Sequence, residues 1–229
     1  MGWWSPVEPF GFARGDWRAE LLIADGSAFC LWRGKARIGD VHWSLLGRHN
    51  VLNAVAAIAA AVAVGIDPVA ALRALERFKA PKRRMERLAG IGGVEIYDDF
   101  AHHPTAIRAT LQGLRARVGS GRIIVALEPR SNSMRLGAHA DAIAPALADA
   151  DRVVFLARAQ LPWNASRVLD QLDGRGRVAG DTDALLEALR EEVRAGDHVV
   201  FMSNGGFDGV QRRFVVDLRE RTVSATLPE

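Results

Sequence analysis

Cysteine is nearly absent from the 229 residues: Cys30 is the one thiol, which excludes an internal disulfide framework and any zinc centre built from several thiolates. No apolar run is long enough to span a bilayer. The longest, residues 51–64, carries Asn53 among alanines and valines and predicts a buried helix. The opening Met1-Gly2-Trp3-Trp4-Ser5-Pro6 lacks a basic segment followed by an apolar core, so neither a secretory signal nor a lipid anchor is expected, and a cytoplasmic location follows. Charge of one sign is not concentrated: Lys and Arg total 30 against 27 acids, a balance that predicts no nucleic-acid partner and no membrane partner. The one dense basic spot, Lys82-Arg83-Arg84, reads as a solvated linker.

Several chemistries lack their residues. There is no Gly-x-Ser-x-Gly, no His-Glu-x-x-His and no thiol pair. No Walker loop exists, because Gly34-Lys35 runs into Ala36 and neither Lys79 nor Lys82 precedes Ser or Thr. Gly174-Arg175-Gly176-Arg177-Val178-Ala179 fits a dinucleotide fingerprint by letters, yet it does not lie between a strand and a helix start. No repeat or low-complexity segment is present.

What is there reads as an ordinary globular chain, 49% hydrophobic and 25% charged, of one or two domains. Residues 17–46 alternate in short runs broken by Asp25-Gly26 and Arg33-Gly34, which predicts hairpin strands. An Ala/Val-rich helix starts at Asn50 and stops at Gly65. Asp67 then caps a helix that has Pro68 at its first position and ends near Phe78. Residues 79–84, with Pro81, read as an interdomain linker, giving domains of about residues 1–80 and 81–229. Beyond it, strands at 94–99, 122–127, 152–156 and 198–202 alternate with helices at 104–118, 136–150 and 183–194. Apolar strands separated by amphipathic helices predict a mostly parallel, doubly wound, Rossmann-like α/β sheet. Residues 223–229 are expected to fray.

Ligands of such sheets sit beyond the carboxyl ends of the strands, which singles out three segments. Asp98-Asp99-Phe100-Ala101-His102-His103-Pro104 joins two carboxylates and two imidazoles to a proline-started helix, suited to a ribose and an anion. The plainer alternative is an N-capped helix with His103 as its cap. Glu128-Pro129-Arg130-Ser131-Asn132-Ser133 offers a guanidinium that can fork onto a carboxylate, or a simple polar turn. Ser203-Asn204-Gly205-Gly206-Phe207 places adjacent glycines where backbone amides can face an anion, or where a tight turn needs them. On the first long helix, Asn50 and Asn53 lie three apart on one face, where an adenine edge could satisfy buried amides; alternatively Asn50 caps the helix and Asn53 bonds a loop.

Gly47-Arg48-His49-Asn50-Val51-Leu52-Asn53-Ala54, Arg83-Arg84-Met85-Glu86 and the Asp98-to-Pro104 motif, in this order, resemble the Mur ligases of cell-wall synthesis. Leu127-Glu128-Pro129-Arg130-Ser131-Asn132-Ser133-Met134 and Met202-Ser203-Asn204-Gly205-Gly206-Phe207 resemble the branch whose acceptor is a peptide. The resemblance covers about residues 17–220. It implies the C-terminal part of an ATP-dependent amide-bond-forming ligase, with residues 1–80 as the tail of a central ATPase domain and the rest a Rossmann-like third domain. The Walker loop, the ligands of Mg2+ and the UDP-sugar domain would lie upstream, so no complete catalytic set and no metal ligand is expected in these residues. His49, Asn50, Asn53, Arg84 and Asp99 match nucleotide-binding positions, Asp99 that of a ribose-binding aspartate. His102, His103, Arg130, Asn132, Ser133 and Arg135 lie where the acceptor is received. The implied partners are ATP, UDP-N-acetylmuramate and L-alanyl-γ-D-glutamyl-meso-diaminopimelate. A ligase that adds L-alanine and a non-catalytic nucleotide-binding module are the alternatives.

Overall fold

The computed structural model describes residues 7–158, 161 and 163–226. The chain divides into two compact units, residues 1–80 with 112–117 and residues 81–111 with 118–229.

In the first unit β1 (Phe10–Gly11), β2 (Trp17–Leu21), β3 (Ala28–Arg33) and β4 (Ala36–His42) form one sheet in that order. β2, β3 and β4 are antiparallel neighbours, and β1 adds a short parallel edge. Two helices follow, α1 (Arg48–Ala63) and α2 (Pro68–Leu75). Asp67 caps α2 by accepting from the Ala70 N–H at 2.8 Å, ahead of Pro68 at the first turn. Trp17, Phe29, Leu31 and Val41 of the sheet pack with Val51, Val55 and Ile58 of α1 and Leu72 of α2. α1 is therefore buried along one stripe and not all round as its composition predicts: Asn53, Ala57 and Ala60 are exposed.

The second unit opens with β5 (Glu86–Ile91) and β6 (Val94–Asp99), an antiparallel pair joined by Gly92-Gly93. Both glycines have positive φ, 56° and 79°, which a two-residue hairpin turn of this hand requires. α3 (Pro104–Val118), of which residues 112–117 are counted with the first unit, β7 (Ile123–Leu127), α4 (Asn132–Arg135), α5 (Ala140–Ala146), β8 (Arg152–Leu156), α6 (Ser166–Asp170), β9 (Gly176–Ala179), α7 (Thr182–Glu192), β10 (His198–Met202) and α8 (Val210–Thr226) follow. A single 3-10 turn, Phe207–Gly209, precedes α8. The sheet order is β5-β6-β10-β7-β8-β9, and every pairing except β5 with β6 is parallel. This is the mostly parallel α/β sheet that the apolar runs predict.

Both faces of this sheet are covered. Ile124 and Ala126 of β7 join Leu185, Leu186 and Leu189 of α7 and Val210 and Phe214 of α8 in one core, while Ile123, Val125 and Leu127 point the other way and are equally buried. At the centre, the Phe201 ring of β10 meets Phe207 and Phe214 at centroid distances of 6.0 and 5.7 Å.

Two expectations are corrected. The helix expected over residues 136–150 is shorter: α4 already ends at Arg135, Gly137 turns the chain with φ 76°, which favours glycine, and only Ala140–Ala146 of the expected span is helical. The tail expected to fray from residue 223 is helical to Thr226; residues 227–229 lie outside the described residues. Among the described residues, no helix is long and apolar enough to cross a membrane.

Because Phe201 anchors the central strand, Phe201→Ala is expected to lower stability by about 3–5 kcal/mol in urea unfolding. Val223→Ala, at a site 61% exposed, should change it by less than about 0.5 kcal/mol. A Phe201→Ala loss below about 1 kcal/mol would contradict this packing.

Candidate functional site

The carboxyl ends of β6, β7, β8 and β10 lie side by side in the parallel sheet, so the segments leaving them share one edge. Glu128, the residue after β7, is 3% exposed. Its carboxylate accepts from the Ser203 hydroxyl at 2.6 Å, just past β10, and from Arg158, just past β8, at 3.1 Å. Arg158 also donates to Asp208 at 2.5 Å. A charge held in so dry a place needs such partners, and each partner fixes one loop relative to another.

Arg130 sits over this group differently. Its guanidinium is 3.9 Å from Glu128 and 4.0 Å from Asp208, too long for a direct hydrogen bond, and about half of the side chain is exposed. Gly205 makes room for it: a Cβ at that position would occupy the space of the Arg130 side chain. The Gly205 N–H donates to the Ser203 hydroxyl at 3.0 Å. The turn after β7 is closed by Ser131, which accepts from the Met134 N–H at 3.4 Å, and it leaves Asn132, Ser133 and Arg135 exposed.

At the β6 exit, strand alternation sends Asp98 and Asp99 to opposite faces. Asp98 accepts from Arg83 at 3.4 Å and from the Gln211 amide at 3.3 Å. Asp99 accepts from the backbone N–H groups of Met85 at 2.7 Å and Ala101 at 2.8 Å and from the Thr110 hydroxyl at 3.4 Å. These occupy three of the roughly four acceptor positions of a carboxylate. The Phe100 ring carries the Arg83 and Arg84 guanidiniums at 5.3 and 5.5 Å and the edge of His102 at 5.3 Å. Since Phe100 offers a carbonyl, His102 Nδ1, 2.9 Å away, carries the proton and donates. His103 accepts from the Thr105 N–H at 3.2 Å, the cap of the plainer reading, and its ring meets His139 at 4.5 Å.

The second unit thus gathers the predicted residues into two groups, Arg84 with Asp99, His102 and His103, and Arg130 with the turn bearing Asn132, Ser133 and Arg135. In the first unit, His49, Asn50 and Asn53 lie on the first two turns of α1. Asn50 donates to the Leu46 carbonyl at 2.7 Å; Asn53 is exposed, so no buried amide awaits a partner there. Sequence reasoning missed Arg158, Asp208, His139 and Gln211. Arg158 stands two residues beyond β8, and extending the strand-exit search to that strand would have found it. Among the described residues no three metal-ligating side chains cluster.

Burial raises the pKa of Asp98 and Asp99 above the ordinary carboxyl value; Arg83 opposes it at Asp98, and the Ala101 and Met85 amides oppose it at Asp99. For a raised acid, the folded state favours the proton, so its stabilising contribution is present below the unfolded pKa and is lost as pH rises through the folded one. Asp98→Asn is therefore expected to gain on the parent protein as pH rises from 4 to 7, read as the difference in urea unfolding free energy. A difference that moves the other way would contradict it. Ser203→Ala, which strips a donor from buried Glu128, is expected to cost about 1.5–3 kcal/mol at pH 7; a loss under about 0.5 kcal/mol would contradict that.

The segment holding most of these groups, residues 83–205, matches the family model described as Mur ligase, glutamate ligase domain. The chain is 42% identical over 226 residues to the UDP-N-acetylmuramate–L-alanyl-γ-D-glutamyl-meso-2,6-diaminoheptandioate ligase of Escherichia coli K12, an alignment covering 98% of this chain and 49% of that protein. A crystal structure of a murein peptide ligase from Psychrobacter arcticus superposes with a TM-score of 0.71 at 36% identity, covering 95% of this chain and 48% of that one. A UDP-N-acetylmuramate-alanine ligase from Thermotoga maritima superposes with a TM-score of 0.77 at 25% identity, covering 93% and 48%. The chain spans about half the length of the relatives it matches. The fold, the match over the glutamate ligase domain and the identity along the whole chain place it in one family: the chain belongs to the Mur ligases.

Proposed function

We propose that this chain supplies the acceptor-binding part, and some of the nucleotide-binding groups, of a cytoplasmic ligase that uses ATP to join UDP-N-acetylmuramate to L-alanyl-γ-D-glutamyl-meso-diaminopimelate in peptidoglycan recycling. On this reading residues 1–80 are the end of a central ATPase domain and residues 81–229 the C-terminal domain. The observation that carries it is Arg130: a half-exposed guanidinium, held over Glu128 and Asp208 without a direct hydrogen bond to either. Its planar fork can take a carboxylate while the two acids beside it favour an ammonium, and a diaminopimelate end presents both groups. His102, His103, Asn132, Ser133 and Arg135 complete the acceptor contacts.

For the nucleotide, Arg84 and the one open acceptor position of Asp99 suit a ribose and a phosphate, and His49, Asn50 and Asn53 are assigned to the adenine. The residues present do not fit Mg2+ or the terminal phosphates, since there is no Walker loop and no cluster of metal ligands among the described residues. Those parts, with the sugar nucleotide, fall to residues outside this sequence. A carboxylate is a poor electrophile, so the ligase would first convert the lactyl carboxylate to an acyl phosphate, which the acceptor amine then attacks. The acceptor pocket contributes by holding that amine in position and excluding water.

Two results are expected. The purified chain, mixed with UDP-N-acetylmuramate, tripeptide, ATP and Mg2+, releases no phosphate above background. In calorimetry it binds the tripeptide in preference to L-alanine, and Arg130→Ala weakens that binding by about 10-fold or more. Turnover by the chain alone, or equal binding of L-alanine, would overturn the reading.

A further inference from the structure

Arg84 lies between two residues that strain the backbone. Arg83 and Met85 have φ of 61° and 49°, a left-handed conformation that costs a side-chain-bearing residue about 1–2 kcal/mol. Such a conformation persists only where its surroundings over-determine it, and here three ties do so. The Met85 N–H donates to Asp99 Oδ2 at 2.7 Å. The Arg83 carbonyl accepts from the Phe100 N–H at 2.8 Å, and the Arg83 N–H donates to Glu86 at 2.9 Å. The Arg83 side chain is also spent inside the unit, donating to the Ser203 carbonyl at 2.5 Å and to Asp98. Of the two adjacent arginines, only Arg84 is left exposed, its guanidinium against the Phe100 ring.

Asp99 is itself held from behind. The Ala101 N–H and the Thr110 hydroxyl of α3 fix Oδ1, and the Asp99 carbonyl accepts from the Ser203 N–H at 3.2 Å. Its carboxylate therefore transmits the rigidity of β6 and α3 to a loop with no regular structure of its own.

We infer that Asp99 is a positioning residue: through the Met85 amide it holds the strained turn at residues 83–85, and so fixes the direction in which Arg84 is presented. The inference goes beyond the ligand roles above. It uses the reading of Arg84 as a nucleotide contact only for its purpose, since the clamp can be measured with no nucleotide present.

The test is an NMR experiment on the full chain. The groups facing the Asp99 carboxyl are the Met85 and Ala101 amides, the Thr110 hydroxyl and the Arg84 charge, with Asp98 pointing away towards Arg83 and Gln211. When pH is lowered from 7, the Met85 and Ala101 amide protons should shift upfield together with one common midpoint, as the acceptor loses its charge. Side-chain protons of Arg84, shifted by the Phe100 ring current in the parent protein, should return to random-coil positions in Asp99→Asn. A control variant destabilised to the same extent in the core, Phe214→Leu, should leave them in place. If the Met85 amide does not titrate with that of Ala101, or if Arg84 moves equally in the control, the clamp is refuted. Should Asp99→Asn fail to fold, the titration of the parent protein still decides. Loss of nucleotide binding in Arg84→Met is read separately; its absence would sink the nucleotide role of Arg84 and leave the clamp standing.

Discussion

The site depends on keeping one carboxylate, that of Glu128, out of water. Removing a carboxylate from solvent is costly unless hydrogen bonds and a counter-charge replace the lost hydration. Here the Ser203 hydroxyl and the Arg158 guanidinium supply them, from the ends of β10 and β8. Because β10 lies beside β7 and β8 on its other side, satisfying one buried acid ties three strand exits together. Arg130 then sits over the group, half exposed and within 4.0 Å of Glu128 and Asp208 but with no direct hydrogen bond to either. A rigid, charged floor under a loosely engaged arginine is the arrangement from which the acceptor reading follows.

The neighbouring pair Asp98 and Asp99 shows how one step along a strand divides labour. The first faces Arg83 and Gln211, the second the Met85 amide and Thr110. Two identical side chains thus reach different elements, one towards α8 and one towards α3, and both stabilise the turn that bears Arg84. Burial disfavours the charge of each, which makes this corner a place where stability is given up for geometry.

Much of this fold could be read in the sequence because parallel strands covered on both faces are uninterrupted apolar runs. β7, β8 and β10 announce themselves in that way, whereas β6 shows as an alternation of apolar and polar residues, Val94-Glu95-Ile96-Tyr97, ahead of its two aspartates. β5 and β9 do neither. They are edge strands, with Glu86 and Arg87 in one and Arg177 and the 40% exposed Val178 in the other, so neither carries an apolar signal. That only glycine fits at 137, between α4 and α5, depends on the Trp163 ring, which is distant in sequence and invisible to any local pattern. In the site, the strand-exit rule led to Asp99, Arg130 and the turn after β7, and the resemblance to the Mur ligases gave them roles. The rule could not supply the company those residues keep: that Glu128 is the buried partner, that Arg158 and Asp208 complete the group, or that Asp99 spends its acceptor capacity on two backbone amides and the Thr110 hydroxyl. Those depend on which way each side chain points, and a shift of one residue in register would reverse it.

The central claim is that the polar edge of the parallel sheet is where an acceptor peptide is held by charge. A crystal structure of the chain grown with L-alanyl-γ-D-glutamyl-meso-diaminopimelate tests this most directly. The account requires a carboxylate of the diaminopimelate end within about 3 Å of the Arg130 guanidinium, and its ammonium facing Asp208 or Glu128. Peptide density on any other surface, with the Arg130 fork empty, would contradict it.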